Sequence, residues 1–130
     1  MPVQINFIED GFGVEFISSG IVTGSQIIQA NEKIYTHEIL SRLNYKIVDR
    51  TNCTEYNVTT KDIQIIASQD RKAAKINPNI IIALISTTPL QYGMSRMWEA
   101  YVDETGFQVE IFKDRGNANK WIRNKLIISS

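Results

Sequence analysis

One histidine and one cysteine limit the nucleophilic chemistry that this chain can carry. His37 and Cys53 are the only residues of their types among 130. A Ser/His/Asp triad would depend wholly on His37, and a Cys/His pair would need His37 and Cys53 to meet. The sequence contains no Gly-x-Ser-x-Gly elbow, dinucleotide-binding glycine motif or Walker motif. We therefore predict a non-enzymatic protein; an enzyme would require His37, Cys53 and Asp49 to converge.

The same residue counts bear on metals and cofactors. A single histidine excludes a histidine-based metal cluster. Nucleotide phosphates lack a dedicated glycine-rich cradle. We expect no metal and no cofactor.

Polar side chains follow two predicted strands and are candidate ligand-binding residues. They are Asp49, Arg50 and Thr51 after the first strand, and Ser86, Thr87 and Thr88 after the second. Ligands of open α/β sheets collect at the carboxyl ends of parallel strands, where two crossovers diverge, so these residues are expected at any pocket. The alternative is structural: the hydroxyls cap the helix from Leu90, and Asp49 accepts backbone hydrogen bonds.

A stripe of large side chains recurs at helical spacing after the second of these strands. It consists of Met94, Met97, Trp98 and Tyr101. Methionine and aromatic side chains adapt to irregular shapes, so the stripe could line an apolar ligand cleft or a partner interface. Packing in the core explains the same spacing.

Charge and composition narrow the classes of partner and location. Lys plus Arg and Asp plus Glu are both 14, which gives a formal net charge of zero. This balance argues against nucleic-acid binding. We expect a cytoplasmic protein, because one cysteine cannot form an internal disulfide and no signal-peptide pattern is evident. The longest apolar run, residues 80–85, is too short to span a membrane.

The run at 80–85 is the segment around which we expect the fold to form. It contains six consecutive strongly apolar residues, Ile-Ile-Ile-Ala-Leu-Ile. A strand with one wet face would alternate apolar and polar residues, whereas this one is apolar throughout. The pattern predicts a central parallel strand with both faces covered by helices.

The rest of the chain supplies the other elements. Periodicity predicts strands at 3–8, 14–22, 45–49 and 107–112, with the first two forming a hairpin and Gly20 at a bulge or break. Helices are expected at 25–36, at 60–76 and at 90–105, and a last helix is expected to begin at 114 or 116. A turn or short helix is expected at 37–44, and a loop at 52–58. The sequence thus predicts one α/β domain over 1–130, with a mixed, mainly parallel sheet of about five strands.

Several stretches of the chain resemble a known family. They are GIVTG at 20–24, Asp49 at its strand end, MSRMWEAY at 94–101, and FKDR at 112–115 followed by Ala118 and Trp121. Together with the order of elements, they resemble STAS-like domains, and more narrowly the bacterial SpoIIAA-like branch of small uncharacterised proteins. The resemblance covers nearly the whole chain and implies a regulatory or protein-interaction role.

The resemblance also directs attention to the start of the helix at 60–76. Anti-sigma-factor antagonists of the STAS family carry a phosphorylated serine there, where this chain has Asn57-Val58-Thr59-Thr60 in place of Asp-Ser-Ser-Gly. Phosphate at a helix N-terminus is stabilised by free N–H groups and the helix dipole, so Thr59 and Thr60 are candidate phosphosites. An ordinary helix cap also explains Thr59 and is the favoured interpretation, because Asp62 lies three residues on.

Two further kinds of partner remain open. SpoIIAA-like domains are similar in fold to lipid-binding modules of the Sec14 type, which makes a small apolar ligand between the 90–105 helix and the sheet an alternative function. We also expect that the chain can associate with itself, because edge strands at 3–8 or 107–112 offer unpaired backbone groups.

Overall fold

The structure, a computed structural model, describes residues 2–129 and the side chains of residues 2–127. Its strands are β1 (Val3–Ile8), β2 (Gly13–Thr23), β3 (Tyr45–Asn57), β4 (Ile81–Ile85) and β5 (Gln108–Phe112). Its helices are α1 (Gly24–Ile34), α2 (His37–Arg42), α3 (Thr60–Ile76), α4 (Pro89–Tyr101) and α5 (Arg115–Ser129). β1 pairs antiparallel with β2, and the other neighbouring strands are parallel. The predicted mixed, mainly parallel α/β sheet is confirmed.

The strands lie in the sheet in the order in which they occur in the chain, β1-β2-β3-β4-β5. The three crossovers of the parallel part therefore all advance in one direction. A topological switch point, where strand order reverses and a crevice opens, does not occur among residues 2–129. The predicted pocket at the strand ends thus lacks the crevice on which the prediction was based.

Helices cover the two faces of the sheet unequally. Helices α1, α3 and α4 pack on one face and contribute Ile34, Ile63 and Trp98 to the larger apolar core. Helix α5 covers the opposite face over β3 and β4, where Ala118 and Ile122 meet a smaller cluster. We call these the three-helix face and the α5 face. Within residues 2–129, no helix is long and apolar enough to cross a bilayer.

Strand β4 is the predicted apolar strand. All five of its residues, Ile81 to Ile85, are buried. Its odd residues pack toward α5, and Ile82 and Leu84 pack toward the three-helix face. Coverage on both faces explains why the run shows no alternation. The middle of the sheet is β3 rather than β4, which lies one strand nearer the edge.

Capping residues set the starts of the main helices. Thr23 and Gln26 form a reciprocal capping box at α1, and Thr59 and Asp62 form one at α3. Thr88 accepts from the backbone N–H of Gln91 at the start of α4. Each cap satisfies backbone donors that the first turn of a helix leaves unpaired.

The structure differs from the sequence prediction in the length of β3. Residues 52–57 were predicted to lie in a loop, but β3 continues to Asn57 because β2 continues beside it to Thr23. The pairing register shifts twice along this extension, once next to Gly20, whose φ is 65°. The second of these shifts lies where a bulge or break was predicted at Gly20. Helix α4 also ends earlier than predicted, at Tyr101, and a 3-10 turn links it to Gly106.

Candidate functional site

The pleat of β3 separates the residues that we predicted to share one pocket. Asp49 accepts hydrogen bonds from Thr51 and from Arg115, the first residue of α5. Arg50, the next residue, donates instead to Ser86 and Ser95 on the three-helix face. Successive side chains of a strand point to opposite faces. The structure therefore does not bring Asp49 and Thr51 together with Arg50 and Ser86.

Arg50 forms a buried cluster with two serines. Its Nη1 donates to Ser95 Oγ at 2.9 Å and to Ser86 Oγ at 3.3 Å, and the two hydroxyls lie 2.9 Å apart. Its guanidinium carbon lies 5.3 Å from the centre of the Tyr56 ring. Arg50 Nε is buried and has no hydrogen-bond partner among the described residues. Ser86 thus orients Arg50 rather than capping α4.

A second buried cation, Lys46, lies four residues earlier on the same face of β3. Its Nζ donates to Asn31 Oδ1 and to the Tyr35 hydroxyl, each at 2.9 Å. It also lies 4.5 Å from the centre of the Phe16 ring. Burial lowers the pKa of Lys46 and nearby Arg50 lowers it further, whereas Asp70 acts in the opposite direction.

Asp70 is the carboxylate of this network. It is 1% exposed and accepts hydrogen bonds from the Tyr35 hydroxyl and, at 2.7 Å, from Trp98 Nε1. Burial and the adjacent Asp70 charge raise the pKa of Tyr35 well above its usual value. The network fixes α1, α3 and α4 against β3, since Tyr35 follows α1 while Asp70 and Trp98 belong to α3 and α4.

Sequence reasoning did not identify the Lys46 network, although one signal was present. Asn31 and Asp70 occupy positions on the apolar sides of their helices, and Lys46 is in phase with buried Val48. Polar residues at core positions need partners, because burying a charge without compensation is costly. A search for complementary buried groups on α1, α3 and β3 would have grouped these three residues.

Lys46, Arg50 and Asp70 line one cavity between the sheet and the helices α1, α3 and α4. Space of about 40 Å³ is open to water there. That volume holds roughly three water molecules. Met94, Ser95 and Trp98 also line the cavity, and its other walls are chiefly apolar. A small cavity therefore lies between α4 and the sheet, where the alternative function placed a ligand, and it is too small for a lipid chain.

The remaining residues of the predicted pocket lie elsewhere. Thr87 donates its backbone N–H to Gln91 Oε1 at 2.8 Å, a helix-start contact consistent with the structural alternative. Met97 is partly buried and packs against the larger core without lining the cavity. Thr51 is exposed and donates its hydroxyl to Asp49.

An ion network occupies the α5 face. Arg115 donates to Glu15 Oε2 at 2.6 Å and to Asp49 Oδ2 at 3.2 Å. Burial alone would raise the pKa of Asp49, but hydrogen bonds from Thr51 and Arg115 hold it below its usual value. The network ties α5 to β2 and β3, and its two carboxylates are already engaged by Arg115.

The candidate phosphosites lie at the start of α3. Thr59 and Thr60 are both exposed. The Thr59 hydroxyl accepts from the Asp62 backbone N–H at 3.1 Å, and the Asp62 carboxylate accepts from the Thr59 backbone N–H at 3.0 Å. Thr59 therefore serves as a helix cap, while Thr60 is the first residue of the helix.

The candidate nucleophilic residues do not converge. His37 begins α2, ahead of β3, and its Nδ1 lies 3.4 Å from Ser41 Oγ. Cys53 lies in the carboxyl-terminal part of β3 and donates to the Glu55 carbonyl. Eight residues separate the start of β3 from Cys53, which is roughly 25 Å of strand. Asp49 bonds to Thr51 and Arg115, and among the described residues no hydrogen bond joins Asp49, His37 and Cys53 to one another.

The free edge of β1 carries outward-facing backbone groups. Ser19 N–H donates to the Pro2 carbonyl at 2.8 Å. Bonded and non-bonded pairs alternate along an antiparallel ladder. The register places Val3, Ile5 and Phe7 at the non-bonded positions, so their N–H and C=O groups point away from β2. This edge can accept another strand.

An open groove runs between this edge and α1. Its water-accessible volume is about 500 Å³. It is lined by Pro2, Val3, Gln4 and Ile5 from the edge, and by Gln26, Gln29, Ala30 and Lys33 from the helix side. Phe7 continues the apolar side of β1 beyond the groove and is 49% exposed. We call the outward backbone of β1 together with this groove the β1 edge site.

The architecture places this chain in a recognised fold class. A hairpin followed by parallel strands in chain order, with three helices on one face and one on the other, is a SpoIIAA-like fold. The chain is similar to the crystal structure of an uncharacterised protein of the DUF3478 family from Shewanella loihica, described as having a SpoIIAA-like fold. The TM-score is 0.53 and the identity 20%, over 92% of this chain and 91% of that one. No protein-family model and no curated protein matches the chain.

Proposed function

We propose that residues 1–130 act as one non-enzymatic, SpoIIAA-like regulatory domain that binds an extended segment of a partner protein at the β1 edge site. The carrying observation is the free edge of β1, where Val3, Ile5 and Phe7 direct backbone donors and acceptors outward. Strand addition to such an edge gives affinity through main-chain hydrogen bonds. The groove beside α1 supplies pockets for alternate side chains of the added strand.

The polar clusters support an interaction role over a catalytic one. Lys46, Asp70 and Arg115 are each engaged by neighbouring side chains that hold elements together. A catalytic group must reach a substrate within hydrogen-bonding distance. The β1 edge site, in contrast, offers unpaired backbone groups on the surface.

The two edges of the sheet also differ as docking surfaces. β5 carries Gln108 and Glu110 as exposed residues between partly buried apolar ones. An exposed charge on an edge strand discourages strand addition. β1 carries no charged residue between Val3 and Ile8. This contrast favours β1 as the edge that a partner uses.

A proline substitution tests the site through the backbone. Ile5→Pro removes an outward-facing N–H and leaves the β1-β2 hydrogen bonds in place, because edge strands tolerate proline where the N–H faces solvent. Ile5→Val is the matched control, since it keeps the donor and nearly the same side chain. We expect wild type and Ile5→Val to crosslink to the same partner in a lysate of the source cells, and Ile5→Pro to lose it.

Hydrogen exchange of the purified complex then locates the contact. The amides of Ile5 and Phe7 should exchange quickly in the free protein and become protected when the partner binds. Protection confined to other surfaces, or unchanged crosslinking by Ile5→Pro, would overturn the proposal. Light scattering of the isolated chain distinguishes self-association, in which a second copy occupies the same edge.

Regulation by phosphate at the start of α3 forms part of this proposal. Thr60 is exposed at the first helical position, and its hydroxyl makes no contact in the capping box. Asp62 opposes a phosphate there through like charge, whereas the helix dipole favours it. Mass spectrometry of the protein isolated from cells should find phosphate on Thr60, or on Thr59 with loss of the cap. Thr60→Ala should abolish the first modification, and an unmodified protein under all growth conditions would contradict this step.

A further inference from the structure

The cavity on the three-helix face contains an imbalance of buried charge. Two cations line it, Lys46 and Arg50, against a single carboxylate, Asp70. Lys46 is linked to Asp70 through the Tyr35 hydroxyl, which donates to Asp70 and accepts from Lys46. No carboxylate bonds to Arg50 in the part of the chain that the structure describes. A buried charge without a counterion is unfavourable, so the cavity favours the binding of an anion.

The free edge of Arg50 defines the kind of anion. Nη1 is held by Ser86 and Ser95, while Nε is buried without a partner. The Nε–H and Nη2–H groups on that side of a guanidinium form a planar fork that matches the two oxygens of a carboxylate. The Tyr56 ring packs against the guanidinium and helps to fix its plane. Arg50 is thus oriented by the protein, and its Nε–H lacks a hydrogen-bond partner among the described residues.

The size and lining of the cavity limit the rest of the ligand. Space for roughly three waters matches a molecule of about four or five heavy atoms. Apart from the charged residues and Asn31, Ser18, Ser95 and Tyr56, the walls are apolar side chains, including Phe16, Val48 and Leu84. A halide would leave the planar fork half used, and a phosphate would expose a second charge to the apolar walls.

We propose that this cavity binds a small monocarboxylate of two or three carbons, with its oxygens on the free edge of Arg50 and its alkyl part against the apolar walls. This inference does not rest on partner binding at the β1 edge site, although Val3 lines both cavities. Binding would satisfy Arg50 Nε and neutralise the excess positive charge. Water alone in the cavity is the competing outcome.

Nuclear magnetic resonance of arginine side chains tests the proposal on the wild-type protein. The Arg50 Nε–H resonance should shift saturably with sodium acetate or propionate at constant ionic strength. Sodium chloride and sodium phosphate should leave it nearly unchanged. At about 100 times the dissociation constant, acetate should also raise the melting temperature by roughly 10 °C.

Two variants separate Arg50 from general salt effects. Arg50→Lys keeps the charge but removes the fork, so saturable binding should be lost. Arg96→Lys is the matched control, because Arg96 is exposed and pairs with Glu99 on α4. Ser95→Ala keeps Arg50 but removes one anchor, and should weaken acetate binding several-fold. If the Nε–H resonance does not shift with acetate, or shifts equally with chloride, the proposal is overturned. This test holds even if Arg50→Lys fails to fold.

Discussion

The two faces of the sheet each carry a network of charges, but the networks differ in exposure. On the three-helix face, Lys46 and Asp70 are buried, with only 5% and 1% of their surfaces exposed. On the α5 face, the Arg115 side chain is 31% exposed, and it bridges Glu15 and Asp49. The two networks use similar hydrogen bonds in different dielectric surroundings. From their comparison we expect burial to set the energetic weight of interacting charges.

A buried pair is costly to break, whereas an exposed pair contributes little. Removing one partner inside the core leaves the other charge without water or counterion. In the partly exposed α5 network, water can replace part of the lost interaction. We therefore expect equivalent substitutions to have unequal effects on the two faces.

The largest effect is expected from Asp70→Asn. The substitution keeps the shape of the side chain and leaves Lys46 without its carboxylate. We expect the free energy of unfolding to fall by about 3–5 kcal/mol. Urea unfolding followed by far-UV circular dichroism measures this loss. Asp49→Asn on the α5 face is the control, and an equal loss for both variants would refute the comparison.

Adding Lys46→Met to Asp70→Asn should restore part of the lost stability. Methionine fills the volume of the lysine stem and removes the uncompensated ammonium group. Apolar replacements of buried ion pairs are often neutral or stabilising, so we expect recovery of about 2 kcal/mol. The same urea measurement on the double variant gives the answer. A double variant less stable than Asp70→Asn would show that Lys46 stabilises the core without its carboxylate.

A smaller effect is expected from Arg115→Gln. Loss of the bridge between Glu15 and Asp49 should lower the free energy of unfolding by about 1 kcal/mol. The loss should shrink somewhat as salt is added, since screening weakens partly exposed pairs more than buried ones. Urea unfolding at low and high sodium chloride tests both points. Arg96→Gln, which breaks only the exposed pair with Glu99, provides the near-zero reference.

The smallest effect concerns acid stability. Folding lowers the pKa of Asp49 from 3.8, so its carboxylate contributes stability that is complete at higher pH. That contribution is lost as pH falls through the folded-state value. Below about pH 5, the unfolding free energy of Asp49→Asn should therefore decline less steeply than that of wild type. Exposed Asp103→Asn should follow the wild-type curve, and a parallel curve for Asp49→Asn would contradict the assignment.

The sequence predicted the elements where local rules act alone. Alternating residues marked β1, continuous apolar residues marked β4, and the Thr23 and Thr59 capping boxes marked two helix starts. These signals depend on residues within one turn or strand. They therefore do not need the tertiary fold to be known.

The sequence failed where partners lie far apart in the chain. Residues 52–57 are mostly polar and read as a loop, yet pairing with β2 keeps them extended. Arg115 meets Asp49 from 66 residues away, and Asp70 meets Trp98 from 28. Asp49 and Arg50 were grouped by position, although the alternation of a strand sends them to opposite faces.

The strands occupy the sheet in the same order in which they are synthesised on the ribosome, and this affects folding during translation. Each new strand joins an edge that the previous strand has just completed, so the sheet can grow in step with translation. The three-helix side can close progressively during that growth. Helix α5 follows β5, so the opposite side of β3 and β4 stays uncovered until it arrives, and this interval is where a nascent chain is most exposed to aggregation.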